Sequence, residues 1–184
     1  MGTEAYRVVE DAHIYFVTYS IVEWLPVFVS EQACRIVTDS LNFCRKNKGL
    51  CTNAFVIMPT HMHAIVFDRA FDNDRLQRSL TEFRKFTGRS LSDFCATHMP
   101  KCFADVLREC STADRERRFW QPSRHPVAIE SERFWKQKFD YLHDNLCRKG
   151  LVKRARYWRY SSAAYCESDG SEECDVVINA LDWM

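Results

Sequence analysis

Leu50-Cys51-Thr52-Asn53-Ala54-Phe55-Val56-Ile57-Met58-Pro59-Thr60-His61-Met62-His63-Ala64-Ile65-Val66-Phe67-Asp68 decides the fold. Runs dense in β-branched and aromatic residues read as strands. Leu50–Met58 and His61–Asp68 are two such runs, separated by Pro59-Thr60. So short a link joins only antiparallel neighbours, so the stretch predicts a hairpin.

On its N-terminal side, Ser30 precedes a helical pattern with Glu31 in the first turn, running to Lys48 and stopped by Gly49. Ala33, Ile36, Val37, Leu41 and Cys44 recur at the spacing of one buried helix face. Before it, His13–Val22 reads as a buried strand. On the C-terminal side, Asp72 or Asn73 opens a second helix. Leu76, Leu80, Phe83 and Phe86 face inward until Thr87-Gly88 weakens it. His98–Arg118 shows no clear period, and a variable loop or marginal helix is expected at about 95–118. Phe119–Glu130 is extended, and Pro122 and Pro126 favour a sheet edge. Ser131 caps a third helix that ends near Gly150, and residues 151–184 form a basic, aromatic C-terminal extension.

The order β-α-β-β-α-β predicts an α+β, ferredoxin-like domain over residues 1–184: a four-stranded antiparallel sheet with both connecting helices on one face. The second face is left bare, and the extra C-terminal helix from Ser131 is expected to cover it.

The chain has 184 residues, 46% hydrophobic and 28% charged, values of a folded domain rather than a disordered or collagen-like chain. Lys+Arg 26 against Asp+Glu 25 leaves a net charge of +1, so any nucleic-acid surface must come from local clustering. The 9 cysteines include no C-x-x-C pair, which disfavours a structural zinc site or a disulfide scaffold. Cys34, Cys44 and Cys147 fall in helical patterns and read as small core residues. Neither a secretory leader nor a membrane-spanning run is visible, so a cytoplasmic protein with reduced thiols and no membrane partner is expected.

His61-Met62-His63 carries the chemistry. Side chains alternate along a strand, so His61 and His63 share a face with Ile65 and Phe67, while Met62, Ala64 and Val66 line the other. Imidazoles so spaced can ligate one divalent ion; the plainer alternative is two histidines that hydrogen-bond the turn backbone. In the third helix Trp135, Phe139, Leu142 and Leu146 form a core stripe, beside a line of Phe134, Lys138, Tyr141 and Asn145. This helix would lie over the histidine face. A tyrosine hydroxyl, with its pKa near 10, needs a metal or base to act as a nucleophile at neutral pH. The alternative is a core tyrosine with its hydroxyl at the rim.

Residues 53–66 resemble the signature strand pair of the single-tyrosine HUH-type transposases, in which histidine, a hydrophobic residue and histidine follow a V-M-P-N-H turn. Tyr141-Leu142-His143-Asp144-Asn145 with Gly150-Leu151-Val152 resembles the Y-I-x-x-N-P-x-x-x-G-L-V stretch of one branch, the REP-associated tyrosine transposases. Trp158-Arg159-Tyr160-Ser161-Ser162 and Tyr165 resemble that branch's W-x-Y-S-S region. Phe83–Arg89 and Phe119-Trp120-Gln121 also match, so the likeness runs from about His13 to Tyr165. Thr60 stands where the turn usually has asparagine, and Leu146 where proline usually follows the asparagine.

The resemblance implies a metal-dependent single-stranded DNA endonuclease and strand transferase working through a 5′-phosphotyrosine. Tyr141 would be the nucleophile, with His61, His63 and Asn145 ligating Mg²⁺ or Mn²⁺. The DNA partner would be single-stranded and hairpin-bearing, and the protein a monomer or homodimer. His143, two residues from Tyr141, points elsewhere on the helix.

Arg148, Lys149, Lys153, Arg154, Arg156 and Arg159 run without an intervening acid and are interleaved with Tyr157, Trp158 and Tyr160. Cations beside stacking rings suit a single strand or a hairpin end; the alternative is a solvated helix end. Arg84, Lys85 and Arg89 form a second candidate patch. A different functional class, a domesticated DNA-binding protein without turnover, is disfavoured by the intact set His61, His63, Tyr141 and Asn145.

Overall fold

The computed structural model describes residues 5–8, 13–110, 118–122 and 126–183. Its elements are β1 (Ala5–Arg7), β2 (Ile14–Ser20), α1 (Glu31–Lys48), β3 (Leu50–Met58), β4 (His61–Asp68), α2 (Asn73–His98), α3 (Lys101–Glu109), β5 (Val127–Ala128), α4 (Glu132–Arg148), α5 (Ala163–Glu167) and β6 (Ala180–Asp182). The main sheet has the order β3-β4-β2-β5, and every pairing is antiparallel. This is the ferredoxin-like α+β order that the element sequence predicts.

Alternation along the strands sorts the core into two layers. Val17, Tyr19, Phe55, Ile57, Met62, Ala64 and Val66 face α1 and α2, packing on Ala33, Val37, Leu41, Leu76, Leu80 and Phe83. Ile14, Phe16, Val56, Met58, Ile65 and Phe67 face the other way, against Leu142 and Leu146 of α4. The expected third helix therefore covers the second face. Truncating a fully buried ring there, as in Phe67→Ala, would cost about 3–5 kcal/mol.

The caps follow the sequence with one exception. Asp72 and Ser131 accept hydrogen bonds from Arg75 N and Phe134 N, and Gly49 closes α1 with φ 76°. Ser30 occupies the cap position of α1, but its side chain makes no capping bond. In β3 the register shifts between Thr52 and Ala54, inserting Asn53 as a bulge. The Asn53 side chain donates to Asn179 O at 3.0 Å and accepts from Trp135 Nε1 at 2.7 Å, tying α4 and the C-terminal segment to β3.

Helix α2 does not weaken at Thr87-Gly88 but runs on to His98. A Cβ at residue 88 would meet Trp120 Cδ1 at 3.2 Å, so the glycine admits the indole. The indole Nε1 donates to Thr87 Oγ1 at 3.1 Å. Of the variable loop or marginal helix expected at about 95–118, the described residues are largely helical: α2 ends there and α3 follows, Phe103 and Leu107 packing on the core. Phe103, Val106, Leu107 and Cys110 stand at helical spacing, a signal obscured by Pro100 and the charges between them. Residues 111–117 of that region, and His125, lie outside the described residues.

Among the described residues between Phe119 and Glu130, only Val127–Ala128 pairs as a strand, with Trp120 bridging to Ile21. The prolines confine the ladder, as proline has no N–H to donate. Cys34 and Cys44 are buried as expected, while Cys147 is half-buried. The C-terminal extension ends in β6, which pairs in parallel with β1. Among the described residues, no helix is long and apolar enough to cross a membrane.

Candidate active site

His61 and His63 lie at the turn end of β4, on the face covered by α4. Their ring centroids are 4.9 Å apart. His63 is buried, 6% exposed, between Phe16 at 5.2 Å and Tyr141 at 5.7 Å. Its Nδ1 is hydrogen-bonded to Thr18 Oγ1 at 2.8 Å, while its Nε2 is buried with no hydrogen-bond partner among the described residues. His61 is half-buried, and its Nδ1 bonds Thr60 Oγ1 at 3.0 Å.

Electrostatics keep both rings neutral. Burial first, then the charge of Lys149, holds His61 below the usual imidazole range. Burial, then His61 and Lys138, pushes His63 down to about 3. Near neutral pH both rings therefore offer lone pairs. A buried Nε2 whose Nδ1 is held by a hydroxyl has a lone pair that could be given to a cation.

Tyr141 is 39% exposed on α4, edge-on to Phe16 at 6.1 Å and to His63. Lys138 Nζ lies 6.0 Å from the Tyr141 ring centroid and 5.1 Å from that of Phe16; Arg148 Cζ is also 6.0 Å from the Tyr141 centroid. Asn145, one turn on, is buried, 5% exposed. The spacing in α4 thus places an open phenol with two cations around it beside the neutral His63 imidazole, and sets the buried Asn145 amide one turn further along the same helix. Such a group can receive a phosphodiester: cations for the phosphate, a hydroxyl for attack, and unprotonated nitrogens. Among the described residues no group of three or more His, Cys, Asp or Glu comes together, so a cation here would rest on two imidazoles, an amide and oxygens from outside the chain.

The basic run separates in space. Arg148, Lys149, Lys153 and Arg154 are exposed. Arg156 pairs with Glu172 and, at 3.9 Å, with Glu167; Arg159 pairs with Glu31 at 3.3 Å and Asp175 at 3.4 Å. Trp158 is half-buried, packs against the core layer that Leu142 and Leu146 of α4 cover, and donates from Nε1 to Ile57 O at 2.8 Å. The segment it begins runs beside edge strand β3: Ile57 N donates to Tyr160 O, Ser162 N to Phe55 O, and Val56 bridges Ser161. Arg84 donates from Nη2 to Gln121 O at 2.6 Å, and Lys85 and Arg89 are exposed on α2, on the sheet face away from Tyr141.

His143 turns toward this C-terminal segment. Its Nε2 bonds Ser162 Oγ at 2.8 Å, and burial, opposed by Asp140 and aided by Lys136, pushes its pKa down to about 4. Sequence reasoning missed Thr18 and set Lys138 in the Tyr141 line without giving it a role, though both contacts were within reach of it. Thr18 continues the Ile14-Phe16 face of β2, and Lys138 precedes Tyr141 by one turn. Trp24, whose ring lies 5.9 Å from His61, carries no sequence signal.

No family model and no curated protein matches the chain. Among solved structures, that of a REP-associated tyrosine transposase bound to a REP hairpin superposes with a TM-score of 0.59, at 17% identity, over 99% of this chain and 94% of that one. At that identity the likeness speaks for the fold.

Proposed function

We propose that the protein is a transposase-like, single-strand DNA nicking and joining enzyme whose nucleophile is Tyr141. The observation that carries this reading is the packing of the exposed Tyr141 ring against His63, an imidazole with a buried, unpartnered Nε2. The Tyr141 oxygen attacks a backbone phosphorus; the P–O3′ bond breaks, the phenolic proton is lost, and the departing 3′ oxygen gains a proton. The product is a 5′-phosphotyrosine with a free 3′-OH, which can later attack the same phosphorus and rejoin strands.

His61, His63 and Asn145 would hold a divalent cation, Mg²⁺ or Mn²⁺, which supplies polarisation of the phosphate. Thr18 and Thr60 accept from the two Nδ1–H groups in the tautomer that leaves each Nε2 lone pair free. Thr60 thus does through its hydroxyl what a turn side chain must do for His61. Leu146, where the resembled branch has proline, lets α4 run on to Arg148 and keeps that guanidinium over Tyr141.

Lys138, Arg148 and Lys149 flank the phosphate position, and Lys153 and Arg154 extend the track. Arg156, Trp158 and Arg159 act in this reading by fixing the C-terminal segment, since their polar groups are taken up within the chain. The structural neighbour, bound to a REP hairpin, supports a hairpin-bearing strand as partner.

The test is incubation with a panel of hairpin-bearing single strands and Mn²⁺, followed by a denaturing gel. A site-specific covalent adduct with the wild type and none with Tyr141→Phe is expected. An adduct that persists in Tyr141→Phe would move the nucleophile elsewhere.

A further inference from the structure

Trp24 is 55% exposed although tryptophan is the side chain with most to gain from burial. It follows Glu23 in a short turn in which both residues adopt left-handed backbone, φ 50° and φ 53°, a region that costs any residue with a Cβ. Its neighbours hold this conformation in place. Ile21, Val22 and Val27 are buried; Ile21 N donates to Thr60 O, Val22 N to Phe119 O, and Phe28 N to Pro59 O. The turn is thereby fastened to Pro59-Thr60, the two residues before His61. Strain retained at an exposed aromatic residue beside a reactive group is characteristic of a functional position.

The Trp24 indole stands perpendicular to the His61 imidazole, at 86° and 5.9 Å between centroids. Lys149 lies close enough to bear electrostatically on the same imidazole. A strand with one phosphate between His61, His63 and Tyr141 therefore leaves that site past an open indole and a cation. Every base has an apolar π face that such a ring accepts without regard to sequence. Resting on the proposed function above, we infer that Trp24 is a stacking platform for the nucleobase that flanks the cleaved phosphate on the His61 side. Trp24 is a positioning residue: it takes no part in bond making and holds the strand so that the phosphate faces Tyr141.

The experiment measures binding of a fluorescent single strand to Tyr141→Phe protein, with and without a second change at Trp24. Trp24→Ala should weaken binding about 10- to 100-fold, the range for losing one stacked base. Trp24→Phe, which keeps a ring, should restore most of it. A 2-aminopurine beside the cleaved phosphate should be quenched on binding, and the quenching should vanish in Trp24→Ala. Trp24→Gly relieves the backbone and should unfold at the same or a higher temperature while binding as weakly as Trp24→Ala, the reverse of what a structural residue would show.

Unchanged affinity and quenching in Trp24→Ala, with adduct formation by the otherwise wild-type chain intact, overturns the platform and leaves the nicking activity standing. Absence of any adduct or binding by the wild-type chain overturns both.

Discussion

Thr18 and His63 stand directly opposite each other in the β2–β4 pair, and the threonine hydroxyl meets Nδ1 of the imidazole at 2.8 Å. The hydrogen bond occupies Nδ1 and leaves the buried Nε2 as the ring's remaining nitrogen. Replacing Thr18 with the isosteric valine keeps the packing and removes the bond. Partners of this kind are worth about 10- to 100-fold in metal affinity or activity. Thr18→Val should therefore need correspondingly more Mn²⁺ for half-maximal adduct formation. An unchanged Mn²⁺ titration would mean that His63 is oriented by packing alone.

His61 lies half-buried at the strand end, whereas His63 is buried in the layer under α4. His61→Ala should abolish cleavage of single-stranded oligonucleotides while the circular dichroism spectrum and unfolding temperature stay close to wild type. His63→Ala should abolish cleavage and also lower stability, by about 1–3 kcal/mol, through the cavity and the unpaired Thr18 hydroxyl. Undiminished cleavage in His61→Ala would remove that imidazole from the chemistry.

Ser162 joins the C-terminal segment to the sheet at one buried atom. Its Oγ accepts from Phe55 N at 2.9 Å and is bonded to His143 Nε2 at 2.8 Å. Ser162→Ala leaves a buried N–H and a buried imidazole nitrogen unpaired, at about 1–3 kcal/mol for each group left unsatisfied. The midpoint of urea unfolding should fall accordingly, with the slope unchanged. A midpoint equal to wild type would mean that water replaces the hydroxyl.

Asp68 is buried at the far end of β4 and accepts from Arg75 at 2.6 and 2.5 Å, from Ala70 N at 2.8 Å and from Asp72 N at 3.2 Å. Burial alone would raise its pKa; Arg75 and the two backbone donors together outweigh it and hold the carboxyl below the usual range. A carboxyl lowered on folding contributes stability above its unfolded pKa of about 3.9, and that contribution is lost as pH falls through the folded value. Asp68→Asn should therefore cost stability at neutral pH, about 1–3 kcal/mol for the weakened bonds. The gap between variant and wild type should close in acid. A gap independent of pH would assign the loss to packing.

The hairpin at Leu50–Asp68, the helix from Ser30 and the helix from Ser131 were legible because each signal is local. Alternation selects a sheet face, a 3.6-residue period selects a helix face, and caps are read within a few residues. By the same rule His61 and His63 had to share a face, and Tyr141 and Asn145 a helix stripe. Only the tertiary structure decided that α2 runs on through Gly88 instead of weakening there, where the glycine admits an indole packed from Trp120, far along the chain. It alone set Thr18 against His63 and Trp24 against His61, and drew Arg156 and Arg159 out of an uninterrupted basic run into pairs with acids elsewhere. Periodicity specifies which way a side chain points from its own backbone; which residue it meets there depends on how distant elements pack, and that is where this site acquired its neutral imidazoles and its open indole.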